Sequence, residues 1–470
     1  MKRAEPSKYE RYHIETQPAP PIEKWPPRFR VKVGKIALAK FILSEILHYG
    51  PQNHQVILSR PCIYGVFSGP VGGFMPREHL CVGCLRCTTE FPTFIYVSPH
   101  PERLKLGDSY FTPQFVDTVN YEAETGSIPV KGAGYRGKFG GEGWDGMWTD
   151  MSEIVRPTRD GIHGREFIST VVDIGYKPNH LTFDEEGNPI GNIPHMISLP
   201  LPLLFDAASP SMSNEKIWKS AAHAAEAIGS LAILPLDAIL KLGLQNDHTV
   251  PVIQSGDEEK LASLRTPRLI LLEGWDAALH AFLRQRFPES LIGLRIPFSS
   301  SDELLEYPKQ GIHIFHFLAD FHGRNANGRF VLELIREAHA VFVKAGVREE
   351  VTLLASGGMI AAEHLPKAIL CGLDAVAIDT PLIVALQGKF VGECRDRQTS
   401  RFILPKKLTP EWGKQRLMNL AASWRDQLLE ISGAMGIRET RRMRGEMGRA
   451  MLMSTLEAEA FAGVDGYEHA

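Results

Sequence analysis

The fold of this 470-residue chain is decided by residues 351–380, which read VTLLASGGMIAAEHLPKAILCGLDAVAIDT. An apolar strand runs into the turn 356–358, a helical segment follows, and a second apolar strand, 375–378, ends at Asp379 and Thr380. This order is typical of the seventh and eighth strands of a (β/α)₈ barrel, where the following loops donate backbone N–H groups to a phosphate. Glycine is expected there because a side chain would hold the backbone away from the anion.

Six further β/α units precede this stretch, and they predict an α/β protein built on an eight-stranded TIM barrel. Apolar strand-like runs alternate with amphipathic helical runs, as a parallel barrel requires. A doubly wound open sheet is the alternative, but it would need fewer units and a glycine-rich turn after its first strand. The predicted strands are 203–208, 230–234, 250–254, 269–273, 291–296, 312–318, 351–355 and 375–378. The predicted helices are 214–228, 236–242, 258–265, 276–286, 302–307, 329–344 and 363–370.

The bulk composition excludes several classes of protein. A net charge of -3 argues against a nucleic-acid partner recognised by charge. No apolar run approaches the roughly 20 residues that span a bilayer, and the first residues do not resemble a secretory signal. We therefore expect a cytoplasmic protein without membrane insertion.

Three of the six cysteines lie within seven residues, as Cys81-Val-Gly-Cys84-Leu-Arg-Cys87. This clustering does not indicate a disulfide framework in so long a chain. The spacing C-x₂-C-x₂-C lets one loop supply three thiolates to an iron–sulfur cluster, with backbone N–H groups near Gly83 and Arg86 available to the sulfides. Zinc is the alternative, although zinc sites usually pair their cysteines in two separated C-x₂-C units.

The fourth cluster ligand must come from elsewhere in the chain. Cys62, 19 residues before Cys81, is the preferred candidate, and Cys394 and Cys371 are the others. Four thiolates favour a [4Fe–4S] cluster, and three would favour [3Fe–4S].

Together, these features resemble the FMN-binding barrel domain of glutamate synthase. More specifically, the chain resembles the archaeal-type glutamate synthase-related proteins, which place a ferredoxin-like segment before that barrel. The resemblance covers about residues 60–450, and its clearest stretches are 205–213, 355–380 and 417–438.

The resemblance implies a set of FMN-binding residues. Arg295, at the end of the fifth strand, would stabilise the negative charge of a reduced flavin, and a salt bridge within the barrel mouth is its alternative role. The flavin ring is assigned to Ala207, Ala208 and Ser209. The flavin phosphate is assigned to Gly357, Gly358 and Thr380, with the adjoining Ser356.

The chain also departs from the family pattern. Leu234-Pro-Leu-Asp237 replaces a Gly/Glu-rich loop after the second strand, and the loop after the sixth strand keeps only one His-Gly pair. Asp379 replaces a small residue beside the phosphate, where a carboxylate would be repelled unless it turned away. Asp320 and His322, after the sixth strand, are the candidate acid–base residues, with support of the phosphate loop as their alternative role.

The resulting hypothesis is an iron–sulfur flavoprotein oxidoreductase of the glutamate synthase type. It would pass electrons between the cluster and FMN and act on an amino acid or 2-oxo acid, that is, on a CH–NH₂ donor. One alternative is an electron-transfer or scaffold subunit of a larger redox complex. Another is an α-hydroxy-acid oxidase, which His322 and Arg324 match only loosely.

The same hypothesis implies partners. A ferredoxin or another electron-transfer subunit would exchange electrons with the chain, which we expect to be an oligomer or a complex subunit. Because the chain begins at Met1 without a glutamine-cleaving domain, ammonia would come from a partner subunit or from solution.

The predicted organisation has five segments. A proline-rich extended arm, preferably laid across a partner, covers 1–40; the iron–sulfur segment covers 41–130; the barrel covers 199–392; and a helical extension covers 393–470. The connecting segment, 131–198, begins with a glycine-rich loop at 131–150. Its basic residues form either a path for an anion or a salt-bridged plug of the barrel: Arg156, Arg159, His163 and Arg165.

Overall fold

The fold is described from a computed structural model of the chain. The described residues are 12–53, 62–129, 143–149, 168–178, 180–190, 196–298 and 301–464. Most of the glycine-rich loop and all four basic residues of the connecting segment lie outside them, and so do the predicted anion path and its alternative, the salt-bridged plug. The chain divides into two units, here called the cysteine unit, Glu23–Pro113, and the barrel unit, which comprises Met1–Ile22 and Gln114–Ala470.

The predicted closed barrel of eight parallel strands is confirmed. Each strand pairs with the next in sequence, and the eighth closes on the first through Val376 opposite Leu203. Every predicted strand lies within about two residues of an observed one, because each is a run of buried Leu, Ile, Val and Ala flanked by turn residues. The strands are Leu203–Asp206, Ala232–Pro235, Thr249–Ile253, Leu269–Glu273, Leu291–Pro297, Ile314–Leu318, Thr352–Ser356 and Ala375–Ile378.

Helices connect most of these strands, and two connections differ from the prediction. The third is a short 3₁₀ helix, Lys260–Ser263, and the fifth is broken into Ser301–Leu304 and Glu306–Lys309. Both predicted segments were short, and a short apolar pattern does not fix the helix type. The other helices of the barrel are Glu215–Ile228, Leu236–Leu242, Ala277–Arg286, Val331–Lys344, His364–Cys371 and Thr380–Ala385.

An antiparallel hairpin closes the amino-terminal end of the barrel. Its strands, Val172–Gly175 and Met196–Leu199, come from the connecting segment. Ile174 and Ile197 are fully buried in the same apolar cluster as the first residues of several barrel strands. This end of the barrel is therefore filled by apolar packing, which leaves the carboxyl ends of the strands to form the opposite face.

The carboxyl-terminal extension is helical and packs against the barrel. Its long helix, Pro410–Ala434, lies along the first barrel helix, Glu215–Ile228. The remaining elements of the barrel unit are two-stranded pairs and short helices. The pairs are Met147–Thr149 with Ala450–Leu452, Thr182–Phe183 with Pro189–Ile190, and Lys389–Phe390 with Phe402–Ile403. The helices are Pro113–Thr125, which starts at the unit boundary, Thr440–Met443 and Met453–Ala460.

The described start of the proline-rich arm lies on this chain itself. The buried guanidinium of Arg416 donates to the carbonyl of Ala19 at 2.7 Å, and the Asn419 amide donates to the carbonyl of Gln17 at 2.8 Å. Residues 12–22 are thus extended, and they lie on the long carboxyl-terminal helix of this chain. Their backbone groups find hydrogen-bond partners without forming a core of their own.

The cysteine unit is built on two antiparallel strands, Phe29–Val33 and Ile95–Pro99, and a helix, Lys35–Tyr49. Short helices at Arg86–Glu90 and Pro101–Leu104 complete it. Residues 29–40, which we had included in the extended arm, therefore form a strand and the first part of a helix. The alternating pattern of Phe29, Val31 and Val33 explains the strand, since Val31 is buried in the core of this unit.

Among the described residues, no helix has both the length and the apolar character needed to cross a membrane.

Candidate functional site

Four cysteines of the cysteine unit converge on one pocket. Cys81, Cys84 and Cys87 lie on one loop, and Cys62 reaches the same pocket from a separate segment. Cys84 is exposed, Cys87 is buried, and the other two are partly buried. We call this set the cysteine pocket. Apolar side chains, among them Phe67, complete its lining.

Two residues of the loop adopt left-handed backbone conformations. Gly83 has a φ of +73°, and a Cβ there would lie 2.3 Å from the ring of Phe29, so only glycine fits. Leu85 has a φ of +60°, a conformation that costs a non-glycine residue about 1–2 kcal/mol. The loop therefore curves tightly around the pocket, at a local cost in stability.

The sulfur atoms of the pocket receive backbone hydrogen bonds and repel one another when ionised. The N–H of Gly83 donates to Cys81, and that of Thr88 donates to Cys87. Burial raises the pKa of Cys87 to about 11, and the charges of Cys62, Cys81 and Cys84 add to the rise. Four thiolates at this spacing therefore need a cationic group between them.

The two remaining cysteines lie in the barrel unit, apart from this set. Cys371 is fully buried at the end of a barrel helix, with its Sγ 3.8 Å from the Sδ of Met147. The Cys394 thiol donates to the carbonyl of Arg401 at 3.4 Å. Of the three candidates for the fourth ligand, Cys62 is the one that shares a pocket with the C-x₂-C-x₂-C loop.

A second group of polar residues lies buried at the carboxyl ends of the barrel strands. The carboxylate of Asp206, at the end of the first strand, is its centre and is fully buried. Arg295 approaches Asp206 at 3.3 Å, and its other terminal nitrogen lies 2.6 Å from Glu273. Arg397, from the segment after the barrel, lies 3.6 Å from Asp206.

His316 and Ser356 complete this group, which we call the barrel-mouth cluster: Asp206, Glu273, Arg295, His316, Ser356, Asp379 and Arg397. The Nε2 atom of His316 lies 2.7 Å from the Oγ of Ser356 and 3.9 Å from Asp206. Arg295 thus occupies a salt bridge within the barrel mouth, the alternative role considered for it.

Electrostatics fix the charge states of the cluster. Burial alone would raise the pKa of Asp206, but Arg295, His316 and Arg397 outweigh it and hold that pKa well below its usual range. Burial lowers the pKa of His316 to about 3, although Asp206 opposes the shift. The cluster therefore holds an ionised Asp206 and a neutral His316 at neutral pH.

A cleft that is open to solvent adjoins this cluster on the carboxyl face of the barrel. Ala208, Ser209, Arg295 and Arg397 line it. Ala207 is fully buried, and its carbonyl accepts a hydrogen bond from Trp218 at 3.0 Å. Of the residues assigned to the flavin ring, two therefore face the cleft and one does not.

The residues assigned to the flavin phosphate lie elsewhere in the barrel mouth and are buried. A Cβ on Gly357, whose φ is +102°, would lie 2.5 Å from the carbonyl oxygen of Asp320. A Cβ on Gly358 would lie 2.4 Å from the Cα of Gly323. The two glycines are required because the loops after the sixth and seventh strands touch through their backbones, a different reason from the one the sequence suggested.

Asp379 points toward the start of the helix that follows the eighth strand. Its Oδ1 accepts the N–H of Thr380 at 2.6 Å, and its Oδ2 lies 2.5 Å from a terminal nitrogen of Arg397. Burial raises the pKa of Asp379 and Arg397 opposes the rise. FMN binding would require this carboxylate to turn away from Thr380, but the carboxylate is bonded to the Thr380 N–H.

The candidate acid–base residues stabilise the loop that carries them. The Asp320 carboxylate accepts the N–H of Arg324 at 2.7 Å and pairs with Arg395 at 2.5 Å. The Nε2 atom of His322 lies 4.0 Å from Glu393. Neither Asp320 nor His322 is among the described residues that line the cleft, and their catalytic assignment stays a prediction. Arg324 donates to the carbonyl of Gly328 within its own loop.

The sequence analysis did not single out four members of the cluster: Asp206, Glu273, His316 and Arg397. Asp206 and His316 are polar residues within the strands LLFD and IFHFL, and an isolated polar residue in a buried strand signals a site. Arg397 gives no such signal, because it lies in an irregular segment and reaches the barrel mouth only through the tertiary fold.

Comparison with known proteins identifies relatives of this chain. The model of the conserved region in glutamate synthase matches residues 322–438. The archaeal-type glutamate synthase (NADPH) of Dehalococcoides mccartyi is 23% identical over 434 residues, with 78% of this chain and 86% of that protein covered. This chain is related to the glutamate synthases. The resemblance found in the sequence is confirmed.

Other relatives of this glutamate synthase-related chain give the same result. The archaeal glutamate synthase (NADPH) of Archaeoglobus fulgidus is 25% identical over 441 residues, covering 78% of this chain and 85% of that protein. That of Methanocaldococcus jannaschii is 37% identical over 110 residues, about 22% of each chain.

Similar solved structures include a mandelate oxidase variant and a flavocytochrome b2 variant with pyruvate bound. The first is 13% identical, covers 63% of this chain and 97% of its own, and gives a TM-score of 0.37. The second is 12% identical, covers 62% and 75%, and gives a TM-score of 0.40.

Proposed function

We propose that this chain is an iron–sulfur oxidoreductase of the glutamate synthase type. In this proposal the cysteine pocket holds one cluster and the barrel-mouth cleft receives a flavin and an amino acid or 2-oxo acid. The single observation that carries it is the convergence of Cys62 with Cys81, Cys84 and Cys87 on one pocket. The names of the relatives support the substrate class.

The chemistry of the donors supports an iron–sulfur cluster in the pocket. Four thiolates match the ligand set of a [4Fe–4S] cluster, and N–H groups donated to cysteine sulfurs are a recurrent way of tuning its potential. The left-handed conformations of Gly83 and Leu85 keep the loop wrapped around the pocket. Three local cysteines and one distant cysteine are an uncommon arrangement for zinc.

The ring side of the cleft is compatible with a flavin. A bound flavin would exchange two electrons with the substrate and single electrons with a cluster. Arg295 is held between Asp206 and Glu273, so its positive charge is fixed at the inner wall of the cleft. A fixed cation there would favour the reduced flavin anion and would attract a substrate carboxylate. The resemblance implies FMN, but Thr380, one of the residues assigned to its phosphate, is already bonded to Asp379.

Partners belong to the same proposal. A ferredoxin-type protein or another redox subunit would exchange electrons with the cysteine pocket, and ammonia would enter from solution or from a separate subunit.

The test is turnover under anaerobic conditions with the full-length protein. We expect formation of glutamate from its 2-oxo acid and ammonia when reduced ferredoxin or NADPH is present, and a loss of that activity in the Cys84→Ser variant. Turnover that is unchanged by Cys84→Ser would contradict the role of the cluster. If the iron of the cluster is reduced but no amino acid forms, a second candidate function, described next, is favoured.

That second candidate is an electron-transfer or scaffold subunit of a larger redox complex. The observation that favours it is the mutual pairing of the charges in the barrel-mouth cluster, among them Arg397 with Asp379 at 2.5 Å. A barrel whose ionic groups already satisfy one another can keep its shape without a ligand. A protein that contains iron and sulfide but neither holds a flavin nor turns over an amino acid would support this candidate.

A further inference from the structure

The carboxylate of Asp379 is bonded to Thr380, one of the residues that the resemblance assigns to the flavin phosphate. Its Oδ1 accepts both the N–H of Thr380, at 2.6 Å, and the Thr380 hydroxyl, at 3.3 Å. Asp379 and Thr380 are each only 1% exposed. An anion that approached Thr380 would have to displace this carboxylate.

The positive charge nearest to Asp379 is fixed by several contacts. Arg397 pairs with Asp379 at 2.5 Å, donates to the carbonyl of Ala319 at 2.6 Å and donates to the hydroxyl of Ser209 at 2.9 Å. Its guanidinium also lies 4.9 Å from the centre of the Phe321 ring. Arg397 thereby bonds to the loops after the first, sixth and eighth strands. Its guanidinium is held by these contacts and would have to break them to bind a phosphate.

The glycine turn after the seventh strand is closed in the same way. The backbone of Gly357 faces the carbonyls of Ala319 and Asp320, and the indole N–H of Trp144 donates to the carbonyl of Gly358 at 2.9 Å. Carbonyl oxygens line the approach to this turn, and carbonyl oxygens repel anions. In both halves of the expected phosphate site, oxygen atoms of the protein therefore lie where the phosphate would approach.

We infer that Asp379 is a built-in anion that takes the place of the flavin phosphate, so that this barrel recognises a flavin by its ring and not by its phosphate. The ligand class is a neutral isoalloxazine such as riboflavin, with its ring in the cleft lined by Ala208, Ser209 and Arg295. This inference rests on the proposed flavin function. A phosphate beside Thr380 would lie next to the buried carboxylate of Asp379, which already pairs with Arg397. Adjacent like charges in a buried site repel strongly.

The test is a fluorescence titration of the full-length protein with riboflavin and with FMN. The wild-type protein is expected to bind FMN no more tightly than riboflavin. Replacing Asp379→Ser removes the carboxylate, and we expect FMN affinity to rise about tenfold or more with riboflavin affinity unchanged. Asp379→Asn keeps the size of the side chain without its charge, so it is expected to raise FMN affinity even if the serine variant folds poorly.

A matched control removes the same charge from the rim of the same cleft. Asp237 lines the cleft, and its side chain is 73% exposed and paired with Lys260. Asp237→Ser should leave the ratio of FMN to riboflavin affinity unchanged, because exposed charges are screened by solvent.

Each outcome decides the inference. Wild-type protein that binds FMN about tenfold more tightly than riboflavin, with no gain in either Asp379 variant, overturns it and leaves the proposed function standing. FMN binding that appears only in the Asp379 variants supports it. If neither flavin binds any variant, the inference fails together with the flavin part of the proposed function, whereas the cluster is judged separately by iron and sulfide content.

Discussion

The cysteine pocket and the barrel-mouth cluster deal with their polar groups in opposite ways. In the pocket, four thiols line one cavity, and burial together with the charges of the neighbouring cysteines raises the pKa of Cys87. In the barrel mouth, acids and bases alternate, so that Arg295 and Arg397 hold the pKa of Asp206 low. The pocket therefore needs an added group to become electrostatically favourable, whereas the charged groups of the cluster already pair with one another.

The largest expected effect is on the pocket. Replacing Cys84→Ser or Cys87→Ser removes a thiolate from the C-x₂-C-x₂-C loop and should abolish nearly all bound iron and acid-labile sulfide, measured by chemical analysis after anaerobic purification. Cys371→Ser, at a buried cysteine of the barrel unit, is the control and should retain the full iron content. If Cys371→Ser lost as much iron as Cys84→Ser or Cys87→Ser, the pocket would not be the metal site.

A second pair of variants identifies the fourth ligand. Cys62→Ser keeps all three thiolates of the C-x₂-C-x₂-C loop, so it should lower the iron content less than the loop variants, to about three atoms per chain. Cys394→Ser should leave iron unchanged, since its thiol bonds to the carbonyl of Arg401 in the other unit. The reverse result would assign the fourth thiolate to Cys394.

In the barrel mouth, the expected effect is on stability. Arg295→Met leaves the buried Asp206 without its closest cation, and breaking a buried pair in this way costs about 3–5 kcal/mol of unfolding free energy. Urea unfolding measures it. Lys241→Met breaks an exposed pair with Glu215 and should cost at most about 1 kcal/mol. Similar losses in the two variants would mean that the cluster does not stabilise the barrel.

The smallest predicted effect is a pH dependence from His316. Its pKa is lowered to about 3 in the folded chain, whereas an unfolded histidine titrates near pH ~6.5. Between these two pH values the unfolded chain binds one more proton than the folded chain. The stabilisation from neutral His316 is therefore complete above pH ~6.5, and the free energy of unfolding falls by up to about 1.4 kcal/mol per pH unit as pH falls toward 3.

A comparison of wild type and His316→Gln by urea unfolding at pH 6 and pH 5 isolates this contribution. The variant should lose less stability than the wild type over that interval. Identical pH slopes would show that His316 is not buried in its neutral form.

The sequence predicted the barrel well because strand periodicity is local. The residues 351–380 contain two buried strands, and their apolar pattern depends on neighbouring residues alone. The contacts that decide the phosphate site are not local. Arg397 reaches Asp379 and Ser209 across the fold, and Gly357 is explained by the backbone of Asp320, so neither could be foreseen from spacing.

The cysteine loop lies between these cases. Its spacing indicated a metal site, and the sequence alone favoured Cys62 as the fourth ligand. Its convergence on the pocket depends on the packing of the small apolar core around Phe67. The arm combines a local and a distant cause. Its extended form follows from its prolines, whereas its contacts with Arg416 and Asn419 depend on a helix about 400 residues later in the chain.

The iron–sulfur site in the cysteine pocket is tested most directly by the iron, acid-labile sulfide and zinc content of the wild-type protein purified without oxygen. We expect about four iron and about four sulfide per chain, with a broad visible absorption that bleaches on reduction. Stoichiometric zinc without sulfide would contradict it, because zinc carries no electrons and the cysteine pocket would then be a structural site.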